Sequence, residues 1–175
     1  MNTTVKYRHI LSCQNCLLCK TRRSVVLGRG TTPARILIIG ETPGRSEDVL
    51  GTPFMGESGR LLDFMLKKVG VDPKECFFTN TILCHPTDRK GGETRPPATN
   101  EVAACMENVL FLVDQCSAEL TILAGDLPKK YFSKLIPTAV KISHPTLLLK
   151  SGGAKSPFYI RNLNILEEAA GKING

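Results

Sequence analysis

Three of the chain's seven cysteines fall within one seven-residue stretch, Cys13-Gln14-Asn15-Cys16-Leu17-Leu18-Cys19. Thiols spaced this closely, in a polar context that continues to Arg22 and Arg23, are hard to explain as packing. Two thiolates a turn apart can grip one metal centre. The missing ligands must come from farther along, and Cys84 and Cys105, 21 residues apart, would make with Cys13 and Cys16 a set of four from two distant segments. Four thiolates also suit structural zinc, so the metal stays open at this point. Cys76 and Cys116 read as small buried apolar residues.

A second concentration of chemistry lies between Gly40 and Gly59, directly after the apolar run Ile36-Leu37-Ile38-Ile39. Gly40-Glu41-Thr42-Pro43-Gly44 and Gly51-Thr52-Pro53-Phe54-Met55-Gly56 cannot continue as sheet. They open backbone amides and a pocket wall, with one carboxylate, Glu41, and one aromatic, Phe54. The stretch is neither GxGxxG nor a GK[ST] phosphate loop, which argues against dinucleotide and nucleoside triphosphate sites. Two more polar residues fall at the ends of later apolar runs, Asn80 and His144. Each has a plain structural reading, as a strand-end backbone partner and a turn residue before Pro145. Yet an amide both donates and accepts, which is what reading one edge of a nucleobase requires.

These residues need elements to hold them. Ala34–Ile39, Cys76–Leu83, Leu120–Gly125 and Ala139–Ser143 have the short apolar character of covered strands. Ser58–Val69 carries Leu61, Leu62, Met65, Leu66 and Val69 at helical period, with Gly70 as a C-terminal cap. Thr99 is the expected N-cap of a helix bearing Val102, Cys105, Met106, Val109, Leu110 and Val113. Asp126–Leu135 and Pro157–Ala170 complete the helices, and Thr87–Pro97 reads as a polar surface loop. Alternating strands and helices predict an α/β fold, a three-layer αβα sandwich around a mostly parallel four-stranded sheet. In such sheets ligands sit beyond the carboxyl ends of the strands, which is where Glu41, Asn80 and His144 would meet.

Length and composition set the outer bounds. At 175 residues, 42% apolar and 22% charged, the chain is expected to form one domain, 1–175, with the segment 1–33 tied to it through the metal. No apolar run approaches a membrane span, and Met1 to Arg23 is interrupted by polar residues, so a cytoplasmic monomer is expected. A formal charge of +7 suits a polyanionic partner. An odd cysteine count in such a chain disfavours a disulfide framework.

Taken together, the motifs resemble those of the family 4 uracil-DNA glycosylases, an iron–sulfur branch of the uracil-DNA glycosylase superfamily. They are CxxCxL at Cys13–Leu18, GExPG at Gly40–Gly44, EDxxGxPFxGxxGxLL at Glu47–Leu62, Thr79-Asn80, the pair Cys84 and Cys105, and HPxxLL at His144–Leu149. The resemblance implies hydrolysis of the bond between uracil and deoxyribose in single- or double-stranded DNA, leaving an abasic site. It implies that Gly40, Glu41, Thr42 and Pro43 wrap the base, that Phe54 stacks on it and that Asn80 reads its polar edge. It further implies catalytic roles for Glu41 and His144, a wedge into the DNA stack from Leu147 and Leu148, and a 4Fe-4S cluster on Cys13, Cys16, Cys84 and Cys105. Three features depart from the pattern: Thr42 stands where alanine is usual, Cys84-His85-Pro86 replaces a more basic pattern, and the loop before Cys105 is longer; Cys19 is a spare thiol beside the cluster pair. A related branch bonds covalently to DNA through a histidine in that loop, but Thr87–Pro97 contains none. A non-catalytic or trapping uracil-DNA-binding protein and a zinc-stabilised domain are the alternative expectations.

Overall fold

The computed structural model describes residues 3–174, so Met1, Asn2 and Gly175 of the expected domain lie outside the described residues. The elements run α1 (Thr3–Leu11), α2 (Leu18–Thr21), β1 (Ile36–Gly40), α3 (Arg45–Leu50), α4 (Glu57–Lys68), β2 (Cys76–Asn80) and α5 (Thr99–Cys116). They continue with β3 (Leu120–Ala124), α6 (Asp126–Phe132), β4 (Val140–Ile142), α7 (Pro145–Lys150) and α8 (Pro157–Asn174). The four strands form one sheet in the order β2-β1-β3-β4, and every pairing is parallel. The α/β expectation therefore holds, with a sheet that is wholly parallel.

Alternation along β1 divides the core. Ile36 and Ile38 face one layer with Leu62, Met65, Leu66, Leu148 and Leu166, whereas Leu37 and Ile39 face the other with Ile10, Val102, Val109, Leu112 and Phe132. A run buried on both faces is what a parallel strand between two helical layers demands. Among the described residues no helix is long and apolar enough to cross a membrane.

Several boundaries differ from the sequence reading, each for a local reason. The second strand ends at Asn80 because Thr81 turns away, its amide and hydroxyl both donating to the Gly40 carbonyl at 2.9 and 2.8 Å. Within Gly40–Gly59 the chain forms α3, where Glu47 reaches back to accept from the Gly44 amide at 2.9 Å. The N-cap of α5 is Ala98 rather than Thr99, because Glu101 satisfies the Ala98 amide at 2.8 Å and needs no capping hydroxyl. Helix α8 runs four residues past Ala170, and α1, α2 and α7 lie outside the helices that periodicity predicts. The expected Gly70 cap is present: Gly70 has φ +79° and Val71 N donates to Leu66 O at 3.0 Å.

Candidate active site

The β1–β2 register sets Gly40 opposite Asn80 at the carboxyl ends of both strands. Above them lies a cavity of about 670 Å3 whose lining includes Glu41, Thr42, Phe54, Asn80 and His144. Five residues spread over more than a hundred positions thus share one mouth, as the topology requires. Gly40 is what lets two of them approach. A Cβ there would stand 2.5 Å from Asn80 Oδ1 and 2.6 Å from Phe54 Cζ, closer than side chains tolerate. Asn80 is 2% exposed, and its Nδ2 has no hydrogen-bond partner among the described residues. A buried amide donor left unpaired is costly, and an acceptor on a bound base would satisfy it.

Phe54 occupies the left-handed region, with φ 57°, unusual for a residue other than glycine. Its ring packs against Phe78 at a centroid distance of 5.5 Å. The Arg29 guanidinium lies 4.0 Å from the Phe78 ring centroid and is itself gripped by both oxygens of Asp63 at 2.8 and 2.6 Å. Phe54 is thereby fixed from beneath, with its backbone strain held by a packed stack.

Glu41 follows β1, and its Oε1 accepts from the Asp126 amide at 2.9 Å. The preceding Gly125 has φ +112°, and a Cβ there would crowd Glu41 Cγ at 2.7 Å and Cδ at 2.8 Å. The turn after β3 therefore orients a carboxylate supplied by β1. Oε2 has no hydrogen bond among the described residues and remains available.

His144 is the N-cap of α7, and its Nδ1 accepts from the Thr146 amide at 3.2 Å. An accepting Nδ1 places the proton of the neutral ring on Nε2. Burial holds the imidazole below its ordinary pKa, against an opposing pull from the Glu41 carboxylate. The ring is thus a neutral Nε2–H donor at the cavity. Leu147 is 43% exposed on α7, but Leu148 is fully buried in the core, where it cannot enter DNA. Of the two leucines expected to reach the DNA stack, only Leu147 is therefore at the surface.

The loop before Cys105 contributes Thr94, Arg95, Pro96 and Pro97 to the cavity. It is more ordered than its composition suggested. Arg95 N donates to Pro86 O at 3.0 Å, His85 Nε2 contacts Thr94 Oγ1 at 2.8 Å, and Arg95 forms a two-pronged pair with Glu101 at 2.9 and 2.7 Å. Hydrogen bonds from that pair hold the Glu101 carboxyl below its ordinary pKa. Arg95, Gly125 and the Thr146 amide escaped the sequence reading; of these only Arg95, beside Pro96-Pro97, carried a visible signal.

Cys13, Cys16, Cys84 and Cys105 lie near enough to influence one another electrostatically. Three of the sulfurs accept N–H bonds, from Asn108 Nδ2 to Cys13 at 3.6 Å, Arg22 Nη1 to Cys84 at 3.4 Å and Leu83 N to Cys105 at 3.3 Å. Burial pushes the Cys84 thiol up to about 11 and the Cys105 thiol up to about 12, so bound cationic metal would be needed to hold them as thiolates. Among the described residues no three metal-binding side chains are grouped as a single ion requires. Four thiols from three segments, with N–H donors on three of the sulfurs, are a fitting donor set for a multi-iron cluster. Cys19 is half-buried beside Cys16 and has no assigned partner.

The comparisons with known proteins agree with this geometry. The family model described as Uracil DNA glycosylase superfamily matches residues 27–166. The chain is 39% identical over 128 residues to the Type-4 uracil-DNA glycosylase of Archaeoglobus fulgidus, an alignment covering 73% of this chain and 62% of that protein. It is 34% identical over 128 residues to the Type-4 uracil-DNA glycosylase of Sulfurisphaera tokodaii, covering 72% and 56%. A DNA polymerase of Bacillus phage SP01 is 29% identical over 153 residues, covering 79% of this chain but 16% of the polymerase. The chain thus spans a little under two thirds of the length of the curated glycosylases it matches. With a family match across most of its length and the strand-end residues converging on one cavity, the chain belongs to the uracil DNA glycosylase superfamily.

Proposed function

We propose that the protein hydrolyses the N-glycosidic bond of uracil in DNA, leaving an abasic site that opens base excision repair. The observation that carries this reading is the pairing, in one cavity, of the unpartnered Asn80 amide with the neutral Nε2–H of His144. A base inside a duplex is out of reach, so the nucleotide must be flipped into the cavity, with Leu147 filling the stack it leaves. Phe54 stacks on the ring while Gly40, Thr42 and Pro43 wrap it. The Asn80 amide donates to the uracil O4 and accepts from N3–H; cytosine presents the opposite pattern and is rejected.

Bond cleavage sends the electron pair to uracil N1 and leaves cationic character on the sugar. His144 Nε2–H donates to the uracil O2, where negative charge accumulates, without having to give up its proton. Glu41, its Oε1 held by the Asp126 amide, directs Oε2 to the attacking water, which adds its oxygen to the sugar carbon.

Cys13, Cys16, Cys84 and Cys105 would hold a 4Fe-4S cluster, whose contribution is to cross-link the N-terminal segment, the turn after β2 and α5. Within residues 1–33 the protein's own contacts assist: Asp48 accepts from the amides of Arg23 at 2.9 Å and Ser24 at 3.3 Å. We place the monomer in the cytoplasm, where reducing conditions keep such thiols available. A trapping role is disfavoured by His85, which is wholly buried and bonded to Thr94. Release of free uracil from single-stranded and U:G oligonucleotides by the iron-loaded protein tests the proposal; no release at excess enzyme contradicts it.

A further inference from the structure

We propose that a second cavity, at the β4 edge of the sheet, binds a phosphodiester of the DNA strand that passes the base pocket. It measures about 260 Å3 and is lined by Lys129 of α6, Lys141 of β4, Ser143, and Arg161, Asn162 and Ile165 of α8. Three cations from three elements line it, and no carboxylate does. Lys129 pairs at 3.2 Å with Asp126, whose carboxylate is almost fully exposed, and a pair so solvated neutralises little. Lys141 and Arg161 have no ion pair among the described residues. Like charges around one concavity repel each other until an anion fills it, and the concavity concentrates their field.

The floor of this cavity is built. Asn162 is 1% exposed and spends both ends of its amide on one backbone residue: Oδ1 accepts from Ser143 N at 2.9 Å, and Nδ2 donates to Ser143 O at 2.8 Å. These bonds occupy the otherwise open edge beyond β4 and tie it to α8. The cations are therefore mounted on a fixed frame.

Its place relative to the first cavity identifies the ligand. Ser143 precedes His144, and Lys129 follows Leu127 by two residues; His144 and Leu127 both line the base cavity. A DNA strand with one nucleotide flipped into the first site continues over the rim that separates the two. A phosphate is the chemistry recognised. Inorganic phosphate shares that chemistry, but the common rim points to the nucleic-acid backbone. The inference rests on the DNA-glycosylase reading above and extends its footprint.

The test is the salt dependence of binding to an undamaged duplex, compared between the wild type, Lys141→Ala/Arg161→Ala and Lys67→Ala/Lys172→Ala. Lys67 and Lys172 sit in the last turns of α4 and α8, near the opposite ends of the strands, and remove the same formal charge. If the cavity neutralises one phosphate, the slope of log K against log salt should shrink by about 0.9 in the first variant, with the control at the wild-type slope. An unchanged slope in Lys141→Ala/Arg161→Ala, or an equal change in the control, overturns the proposal. Saturable binding of inorganic phosphate, read from the Ser143 amide resonance, combined with an unchanged DNA slope assigns the cavity to a free anion and also overturns it. Because the duplex carries no uracil, a wild type that binds it yet releases no uracil sinks the proposed activity while leaving this test intact.

Discussion

At the scale of single residues, the site depends on groups whose state is set by one neighbour each. His144 accepts from Thr146 through Nδ1 only while its ring is neutral, and protonating Nδ1 breaks that bond and frees the ring from its anchor. Burial lowers the folded-state pKa beneath the unfolded value near 6.5, so the unfolded chain takes up a proton first as the solution is acidified. The stability contributed by the neutral ring is therefore complete above that unfolded value and declines as pH falls toward the folded one. Histidine NMR titration should show an apparent pKa under about 6.5 for His144, and single-turnover uracil release should stay level through neutral pH and drop on the acid side. A midpoint at or above the ordinary value would contradict this. Replacing a donor to developing charge commonly costs about 10²–10³ in rate, and His144→Ala should show that loss in single-turnover release. Asn80→Asp should blur discrimination between uracil and cytosine, measured as the ratio of their release rates. Glu41, Asn80 and His144 were legible in sequence because each is polar at the end of an apolar run, and Phe54 because it is the one aromatic in a stretch of glycines and prolines. Gly125 and the Thr146 amide were not, since their parts are played by backbone, and backbone geometry leaves little mark on residue type.

At the scale of elements, parallel strands with right-handed crossovers place every strand's carboxyl end on one side, and periodicity alone reveals that much. What periodicity missed was short: α1, α2, α3 and α7 are stabilised by tertiary contacts and reach-back bonds such as Glu47 to Gly44, rather than by an extended amphipathic pattern. The two leucines expected at the DNA show the same limit. Leu147 and Leu148 are indistinguishable as residue types, and only the orientation of α7 sends one outward and the other into the core. The clamp of Asn162 on Ser143 gives this level its own prediction. Asn162→Ala should lower stability by about 1–3 kcal/mol, because two partly buried backbone groups of Ser143 lose their partner. It should also slow release of bound uracil in single-turnover assays, because the clamped residue leads directly into His144. Thermal unfolding and single-turnover release on the same preparation check the two effects. A stability loss with an unchanged rate would confine Asn162 to a structural part.

At the scale of the whole molecule, the positive charge, the cysteine set and the strand-end cavity are each accounted for by the DNA substrate proposed above. The cysteine spacing raised the expectation of metal from sequence, and the fold brings the same four thiols into mutual range from the N-terminal segment, the turn after β2 and α5. Cys84→Ser and Cys105→Ser should each lower iron and acid-labile sulfide and expose the N-terminal segment to proteolysis, read by metal analysis and limited digestion. Full iron content in both variants would contradict the assignment of these ligands. The charge was legible only as a sum, because its concentration around Lys129, Lys141 and Arg161 depends on elements that are distant in sequence. The central claim is that one cavity reads uracil through Asn80 and drives its departure through His144 and Glu41. It is tested most directly by single-turnover release of uracil from a U:G duplex by the wild type and by Glu41→Ala, Asn80→Ala and His144→Ala. Rapid release by the wild type, with losses of about 10²-fold or more in all three variants and native unfolding transitions throughout, is the expected result. Three variants as fast as the wild type, or a wild type that releases no uracil, would contradict it.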